Sequence, residues 1–232
     1  MLTLRRANER GQFDHGWLQT SHTFSFGEYH DPEWMQFRSL RVMNEDTVAP
    51  GQGFGMHGHR DMEIITVVLA GTLSHRDSLG HEAALQPGEV QYMSAGTGIR
   101  HSEFNPSNTD PVHLYQIWLL PRQTGLPPRY EQRTYPVADR QGGWQAVAAG
   151  DGRDGAIPIQ QEATVFLADL SAGDSLSYAL APSRHAWLQV LSGSVTCAGL
   201  ELSAGDGLAI SEQPELMVCA SVPSAVMLFE LA

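Results

Sequence analysis

Three histidines and one glutamate in the first half of the chain have the types and the spacing of a metal site. His57 and His59 are two residues apart, and so are His101 and Glu103. Residues i and i+2 of a β-strand point to the same face, so two neighbouring strands would bring all four side chains together. Imidazoles with a carboxylate suit iron, manganese, cobalt, nickel, copper or zinc better than calcium or magnesium. The spacing therefore predicts one transition-metal ion held by these four residues.

The residues between the two pairs have the composition of short antiparallel strands. Residues 64–69 read IITVVL, and a strand that is apolar on both faces must be covered on both faces. Gly71 and Gly88 mark turns of the kind that separate the strands of a hairpin-built barrel. Glycines at 51, 53 and 55 allow the backbone to pass close to whatever the first two histidines hold.

Composition limits the class of protein. The chain has 232 residues, enough for one large or two small domains, and its formal net charge is −12. An acidic chain offers no basic surface for direct nucleic-acid binding, and no apolar leader or run of eighteen apolar residues indicates a membrane protein. Cys197 and Cys219 have small apolar neighbours, which favours buried thiols over a disulfide. We expect a cytoplasmic protein.

Segments on both sides of the predicted ligands form an extended and specific pattern. They are DHGWL (14–18), HTFSFG (22–27), HRDME (59–63), HRDSLG (75–80), PGEVQYMSAGTGIRHSE (87–103), HLYQIW (113–118) and PRYEQ (128–132). This pattern resembles the pirin family, whose members are bicupins, and it is most similar to the bacterial pirins that are quercetin 2,3-dioxygenases. The resemblance weakens after about residue 142.

The second half of the chain repeats the turns of the first half. VLSGSV at 190–195 matches VLAGTL at 68–73, and LSAGD at 202–206 matches LQPGE at 85–89. When these glycines are aligned, apolar residues occupy all four ligand positions, and we expect no metal in this half. The replacing residues are Ala179, Ala181, Val218 and Ala220.

The repeat and the resemblance together predict an all-β bicupin, two tandem antiparallel jelly-roll barrels. Residues 1–135 would form a metal-binding cupin with an aromatic N-terminal segment. Residues 136–232 would form a second cupin without metal ligands.

Other polar candidates are interpreted without a ligand role. His75 and His81 are expected in a loop or at the surface. Glu63 is a nearby acid or an alternative ligand with poorer spacing. The remaining histidines of the N-terminal segment are expected to form hydrogen bonds or to lie at the surface, namely His15, His22 and His30.

Substrate-binding residues are not assigned by any spacing. The aromatic residues of the first forty positions either cover the outside of the first barrel or wall a pocket for a flat aromatic ligand. The strand face that carries Tyr92 and Met93 is a second candidate for such a wall.

The resemblance implies a dioxygenase that opens the central ring of flavonols such as quercetin with O₂ and releases CO. Glu103 would then serve as general base for the flavonol hydroxyl. Iron is the expected metal, with zinc, manganese, cobalt, nickel and copper as alternatives. Two other functions stay open: a metal-binding, redox-sensing module that acts through a protein partner, and another cupin oxygenase or isomerase.

Overall fold

The computed structural model describes residues 1–232 as strands joined by turns and three short 3₁₀ helices, at Ala7–Glu9, Val137–Arg140 and Arg153–Gly155. No helix has the length and apolar character needed to cross a membrane. The first twelve strands are β1 (Leu2–Arg5), β2 (Gly11–Asp14), β3 (Leu18–His22), β4 (Leu40–Val48), β5 (Gly53–His59), β6 (Glu63–Ala70), β7 (Leu73–Asp77), β8 (Glu82–Leu85), β9 (Glu89–Ser94), β10 (Ile99–Phe104), β11 (Val112–Leu119) and β12 (Arg129–Thr134).

The later strands follow the same pattern of short runs between turns. They are β13 (Gln145–Ala149), β14 (Ile157–Pro158), β15 (Ala163–Leu170), β16 (Ser175–Ala179), β17 (His185–Ser192), β18 (Ser194–Cys197), β19 (Leu200–Ser203), β20 (Gly207–Ser211), β21 (Glu215–Ala220) and β22 (Ser224–Leu231).

The first compact unit comprises Gly11–Thr134 and contains two sheets. The larger has the strand order β12-β9-β6-β11-β4-β3-β2, and the smaller has the order β5-β10-β7-β8. Apolar side chains from both sheets pack into one cluster, which places the core of this unit between them. The buried members are Leu18, Val48, Val68, Leu73, Leu85, Val112 and Leu114.

A polar row crosses the larger sheet on the same face as this cluster. It is bounded on its other side by a second apolar cluster that includes Ile64 and Met93. The interior of the unit is therefore polar at one level and apolar above and below it. From β3 to β12 the row is His22, Asn44, Gln116, Thr66, Gln91 and Gln132.

The second compact unit comprises Met1–Arg10 and Tyr135–Ala232. Its sheets have the orders β1-β20-β17-β22-β15-β13-β14 and β16-β21-β18-β19. The predicted boundaries of 1–135 and 136–232 place the first ten residues in the N-terminal unit. In the structure these residues belong to the second unit instead. The reason is strand pairing: β1 runs antiparallel to β20, with Leu2 opposite Ile210.

The glycine turns that suggested a repeat occupy equivalent positions in the two units. Gly71 and Gly193 have φ values of 79° and 77°. A Cβ on Gly71 would lie 2.6 Å from the carbonyl oxygen of Pro111, and one on Gly193 would lie 2.3 Å from that of Pro223. Each turn requires glycine because both the backbone conformation and the close approach of another segment exclude a side chain. The predicted all-β fold is confirmed.

Candidate metal centre

Two antiparallel strands bring the three predicted histidine ligands together. His101 of β10 lies directly opposite His57 of β5, and His59 is on the same face as His57. One ring nitrogen from each histidine lies within 4.8 Å of those of the other two, and the Nε2 atoms of His59 and His101 are 2.9 Å apart. Burial lowers the pKa of His59 to about 4 and that of His101 to about 2. Both rings are therefore neutral at pH 7 and can offer a lone pair to a metal.

A β-bulge lies beside Glu103. The register shifts between His101, which is opposite His57, and Glu103, which is opposite Phe54. The extra residue is on β5, and bulges of this kind redirect side chains near functional sites. Glu103 lines the same cavity as His57 and His59, and it also belongs to a second set of three potential ligands with His75 and His101.

Hydrogen bonds fix one oxygen of Glu103 and leave the other without a partner. Gln116 donates from Nε2 to Oε2 of Glu103 at 2.8 Å, and Trp118 donates from Nε1 to Oε1 of Gln116 at 3.2 Å. The Glu103 side chain is buried, and burial raises its pKa to about 7. Its Oε1 atom has no hydrogen-bond partner. A buried carboxylate oxygen without a partner is costly, so this atom is suited to a ligand or a proton.

These groups fit a divalent transition-metal ion. His57 hydrogen-bonds the carbonyl oxygen of Gly55 through Nδ1 at 2.8 Å, which orients the ring and leaves Nε2 for a metal. Three converging imidazoles and the unpartnered Oε1 of Glu103 supply nitrogen and oxygen donors of the kind that these metals prefer.

We predict one metal ion per chain, in the N-terminal unit, held by His57, His59, His101 and Glu103. The ligand atoms should lie about 2.0–2.3 Å from the ion, as in protein zinc sites. Anomalous diffraction from crystals of the metal-loaded protein measures this directly. An ion between Glu63 and His75, or two ions per chain, would contradict the prediction.

The interpretation of His75 as a loop or surface residue is wrong. His75 lies on β7, is 2% exposed and is directly opposite Glu103 in the neighbouring strand. Its Nε2 atom lies 3.3 Å from Oδ2 of Asp77. The same oxygen is hydrogen-bonded to Nδ1 of His81 at 2.9 Å. Tyr130 stacks on both imidazoles with ring centroids 4.8 Å apart. His75 and Asp77 are themselves an i, i+2 pair, which is the signal that could have identified this cluster.

A cavity of about 420 Å³ opens beside the candidate metal centre. Two edge-to-face aromatic pairs contribute to its wall, Trp17 with Phe54 and Phe26 with Trp118, each with centroids 5.3 Å apart. Polar residues of β3, β4 and β11 complete the lining, namely Thr20, His22, Asn44, Asp46 and Gln116.

Part of the aromatic N-terminal segment lines the cavity, in agreement with the second of its two interpretations. Trp17 and Phe26 line the cavity, whereas Phe24 is fully buried in the core. His22 is 8% exposed, lines the cavity and bonds the backbone of Phe26, so of its two expected roles the hydrogen-bonding one applies and the surface one does not.

Tyr92 and Met93 point to opposite faces of β9, and neither lines this cavity. Tyr92 is fully buried and donates its hydroxyl hydrogen to Oε1 of Glu63 at 2.5 Å. Burial and the Glu63 carboxylate raise the pKa of the tyrosine. Glu63 is therefore engaged in the core and belongs to neither set of converging ligand atoms.

Asp46 is a buried carboxyl group in the wall of the cavity. It is 4% exposed, and burial raises its pKa from 3.8 to about 6, while a hydrogen bond with Thr20 acts in the opposite direction. A raised pKa means that the folded state favours the protonated carboxyl. Asp46 therefore contributes most to stability below pH 3.8, and that contribution is lost as the pH rises through about 6.

Replacement of Asp46 by asparagine is expected to stabilise the protein at pH 8. The difference between 3.8 and about 6 corresponds to about 3 kcal/mol of unfolding free energy. Urea denaturation of the wild type and of Asp46→Asn at pH 8 and at pH 5 measures the effect. The advantage of the variant should shrink at the lower pH, and a variant that is less stable than the wild type at pH 8 would contradict it.

Comparison with known proteins places the chain in a family. A family model described as Pirin matches residues 3–119, and one described as Quercetinase C-terminal cupin domain matches residues 146–231. A quercetin 2,3-dioxygenase of Escherichia coli K12 is 48% identical over 231 residues, which cover 100% of this chain and 99% of that protein. A pirin-like protein of Caulobacter vibrioides is 38% identical, with 100% of both chains covered.

A solved structure shows the same fold with a metal. The crystal structure of the Escherichia coli bacterial pirin YhhW in complex with nickel(II) is 48% identical, covers 100% of this chain and 99% of its own, and superimposes with a TM-score of 0.95. Two cupin units in tandem define a bicupin, as the sequence predicted. The chain belongs to the pirin family.

Proposed function

We propose that the protein is a metal-dependent dioxygenase that opens the central ring of flavonols such as quercetin with O₂ and releases CO. The observation that carries the proposal is the unpartnered, buried Oε1 of Glu103 beside three converging imidazoles in an aromatic-walled cavity. The 48% identity to a named quercetin 2,3-dioxygenase supports the same reaction.

In this proposal His57, His59, His101 and Glu103 hold the metal ion. When bound, the ion supplies a Lewis acid that favours the ionised form of a flavonol hydroxyl and assists electron transfer to O₂. Glu103 acts as general base: its Oε1 atom accepts the proton of the 3-hydroxyl, while Gln116 keeps Oε2 in place at 2.8 Å. Burial favours the protonated form of the Glu103 carboxyl, which helps it to accept a proton when its Oε1 atom is not coordinated. Oε1 of Glu103 would therefore have two roles, as a ligand that would hold the ion and as the acceptor of the hydroxyl proton.

The cavity suits a flat aromatic substrate. Its volume of about 420 Å³ lies in the range of pockets for small organic ligands. The aromatic pairs Trp17 with Phe54 and Phe26 with Trp118 offer apolar surface to rings and exclude water from the reacting carbons.

The test is oxygen uptake and CO release with quercetin. Metal-depleted protein is reloaded separately with iron(II), nickel(II), manganese(II), cobalt(II), copper(II) or zinc(II), and each free metal serves as its own blank. Equal amounts of O₂ consumed and CO released, well above the blank, would support the proposal. If no metal gives turnover above its blank, the dioxygenase proposal falls, and the regulatory module with a protein partner becomes the leading alternative.

A further inference from the structure

Three cavity residues form a group with one unusual property. His22, Asn44 and Asp46 lie on the paired strands β3 and β4, with His22 directly opposite Asn44. All three line the cavity and are more than nine-tenths buried. Each has one polar atom without a hydrogen-bond partner, namely His22 Nδ1, Asn44 Oδ1 and Asp46 Oδ1. We call these residues the acceptor patch.

The chemistry of the acceptor patch selects a hydrogen-bond donor. An amide oxygen and a carboxylate oxygen only accept. Burial lowers the pKa of His22 to about 4, and its ring also bonds the backbone of Phe26, so the unpartnered Nδ1 is an acceptor at pH 7. Buried acceptors without partners destabilise a fold, and such exceptions concentrate at functional sites. A ligand that brings hydroxyl hydrogens would satisfy all three.

The acceptor patch and the candidate metal centre lie on opposite sheets. The three imidazoles come from β5 and β10 of the smaller sheet, whereas the acceptor patch is on the larger sheet. Asn44 is directly opposite Gln116, which holds Glu103, so the two sites belong to one continuous polar surface. A molecule with one end at Glu103 can therefore place its other end against the acceptor patch, between the aromatic pairs of the wall.

We propose that the acceptor patch binds the hydroxyl groups of the substrate ring that lies away from the metal ligands. His22, Asn44 and Asp46 then determine specificity for polyhydroxylated aromatic substrates over analogues that lack those hydroxyls. This inference rests on the proposed function, since it describes the far end of the same substrate.

The test compares two flavonols under nitrogen, so that binding is measured without turnover. Quercetin carries two hydroxyls on its pendant ring, whereas 3,5,7-trihydroxyflavone has none there. The metal-loaded wild type should bind quercetin about tenfold or more tightly, as expected for one or two net hydrogen bonds. Asn44→Leu, which keeps the shape and removes the acceptor, should reduce this ratio of dissociation constants about tenfold.

Thr66→Val is the matched control. Thr66 is in the same polar row, is fully buried and has an unpartnered hydroxyl oxygen, but it does not line the cavity. Its replacement should leave the ratio unchanged. A wild-type ratio near one, or equal changes in Asn44→Leu and Thr66→Val, would overturn the inference.

Asp46→Asn keeps the inference testable if Asn44→Leu does not fold. It should also reduce the ratio about tenfold, because hydrogen bonds to a charged acceptor are stronger than those to a neutral one. This variant is expected to be more stable than the wild type at pH 8, so a loss of discrimination would not reflect unfolding. Discrimination in binding without oxygen uptake would refute the proposed reaction and retain the acceptor patch. Oxygen uptake with equal binding of both flavonols would support the proposed reaction and refute the role of the acceptor patch.

Discussion

Replacement of Glu103 by glutamine is expected to lower kcat for quercetin by about 10²–10⁴-fold, the usual contribution of a general base. The amide keeps the size of the side chain and still offers an oxygen to a metal. It cannot accept the proton of the flavonol hydroxyl. We therefore expect one metal ion per chain in Glu103→Gln, as in the wild type, with a large loss in turnover. Metal content by elemental analysis and oxygen uptake at saturating quercetin measure the two quantities separately.

Glu63→Gln provides the control for this experiment. Glu63 is also a fully buried glutamate of the N-terminal unit, but it bonds Tyr92 and does not line the cavity. Its replacement should affect stability rather than turnover per folded, metal-loaded protein. If metal-loaded Glu103→Gln turned over quercetin at the wild-type rate, the base role of Glu103 would have to be abandoned.

Replacement of His57 by alanine is expected to remove the metal. Changes to groups that merely orient a metal ligand cost about 10–100-fold in affinity, so removal of a ligand should exceed that range. The variant should lose the increase in Tm that the wild type gains when metal is added, because that increase comes from binding to the folded state. Metal content after desalting and Tm with and without metal are the measurements.

Two further variants locate the ion. His113 is a half-exposed histidine of β11 that bonds Glu45 at 2.9 Å, and His113→Ala should keep the metal. His75→Ala tests the second set of potential ligands, which His75 forms with His101 and Glu103. If His57→Ala retained the ion and His75→Ala lost it, the ion would belong to that second set instead.

The alternation of side chains along a β-strand explains why part of the candidate site could be predicted from the sequence. The i, i+2 spacing within β5 puts His57 and His59 on one face, and the same spacing in β10 does so for His101 and Glu103. The approach of β5 to β10 was inferred from the presence of two such pairs. The i, i+2 pair of His75 and Asp77 marks β7 as a candidate, but the position of His75 opposite Glu103 depends on the register between β7 and β10, which no local pattern contains.

The N-terminal segment shows a second limit of sequence patterns. Strands β2 and β3 have four and five residues, too few for an alternating period to stand out among glycines and aromatic residues. His22 is buried because β3 pairs with β4 and so joins the larger sheet. The pocket-lining role of Trp17 and Phe26 likewise follows from the path of the chain over that sheet. Aromatic composition indicates that some residues of this segment could line a pocket. Only the tertiary structure shows which of them line the cavity and which are buried in the core.

The pairing of β1 with β20 has a consequence for synthesis on the ribosome. The N-terminal unit is one continuous stretch, Gly11–Thr134, so the nascent chain can complete it early. Leu2 emerges from the ribosome long before its partner Ile210. Pairing across so long a separation is slow because a large loop must close first. Deletion of β1 should therefore weaken the folding of the second unit, while the N-terminal unit, which lacks β1, should fold as before.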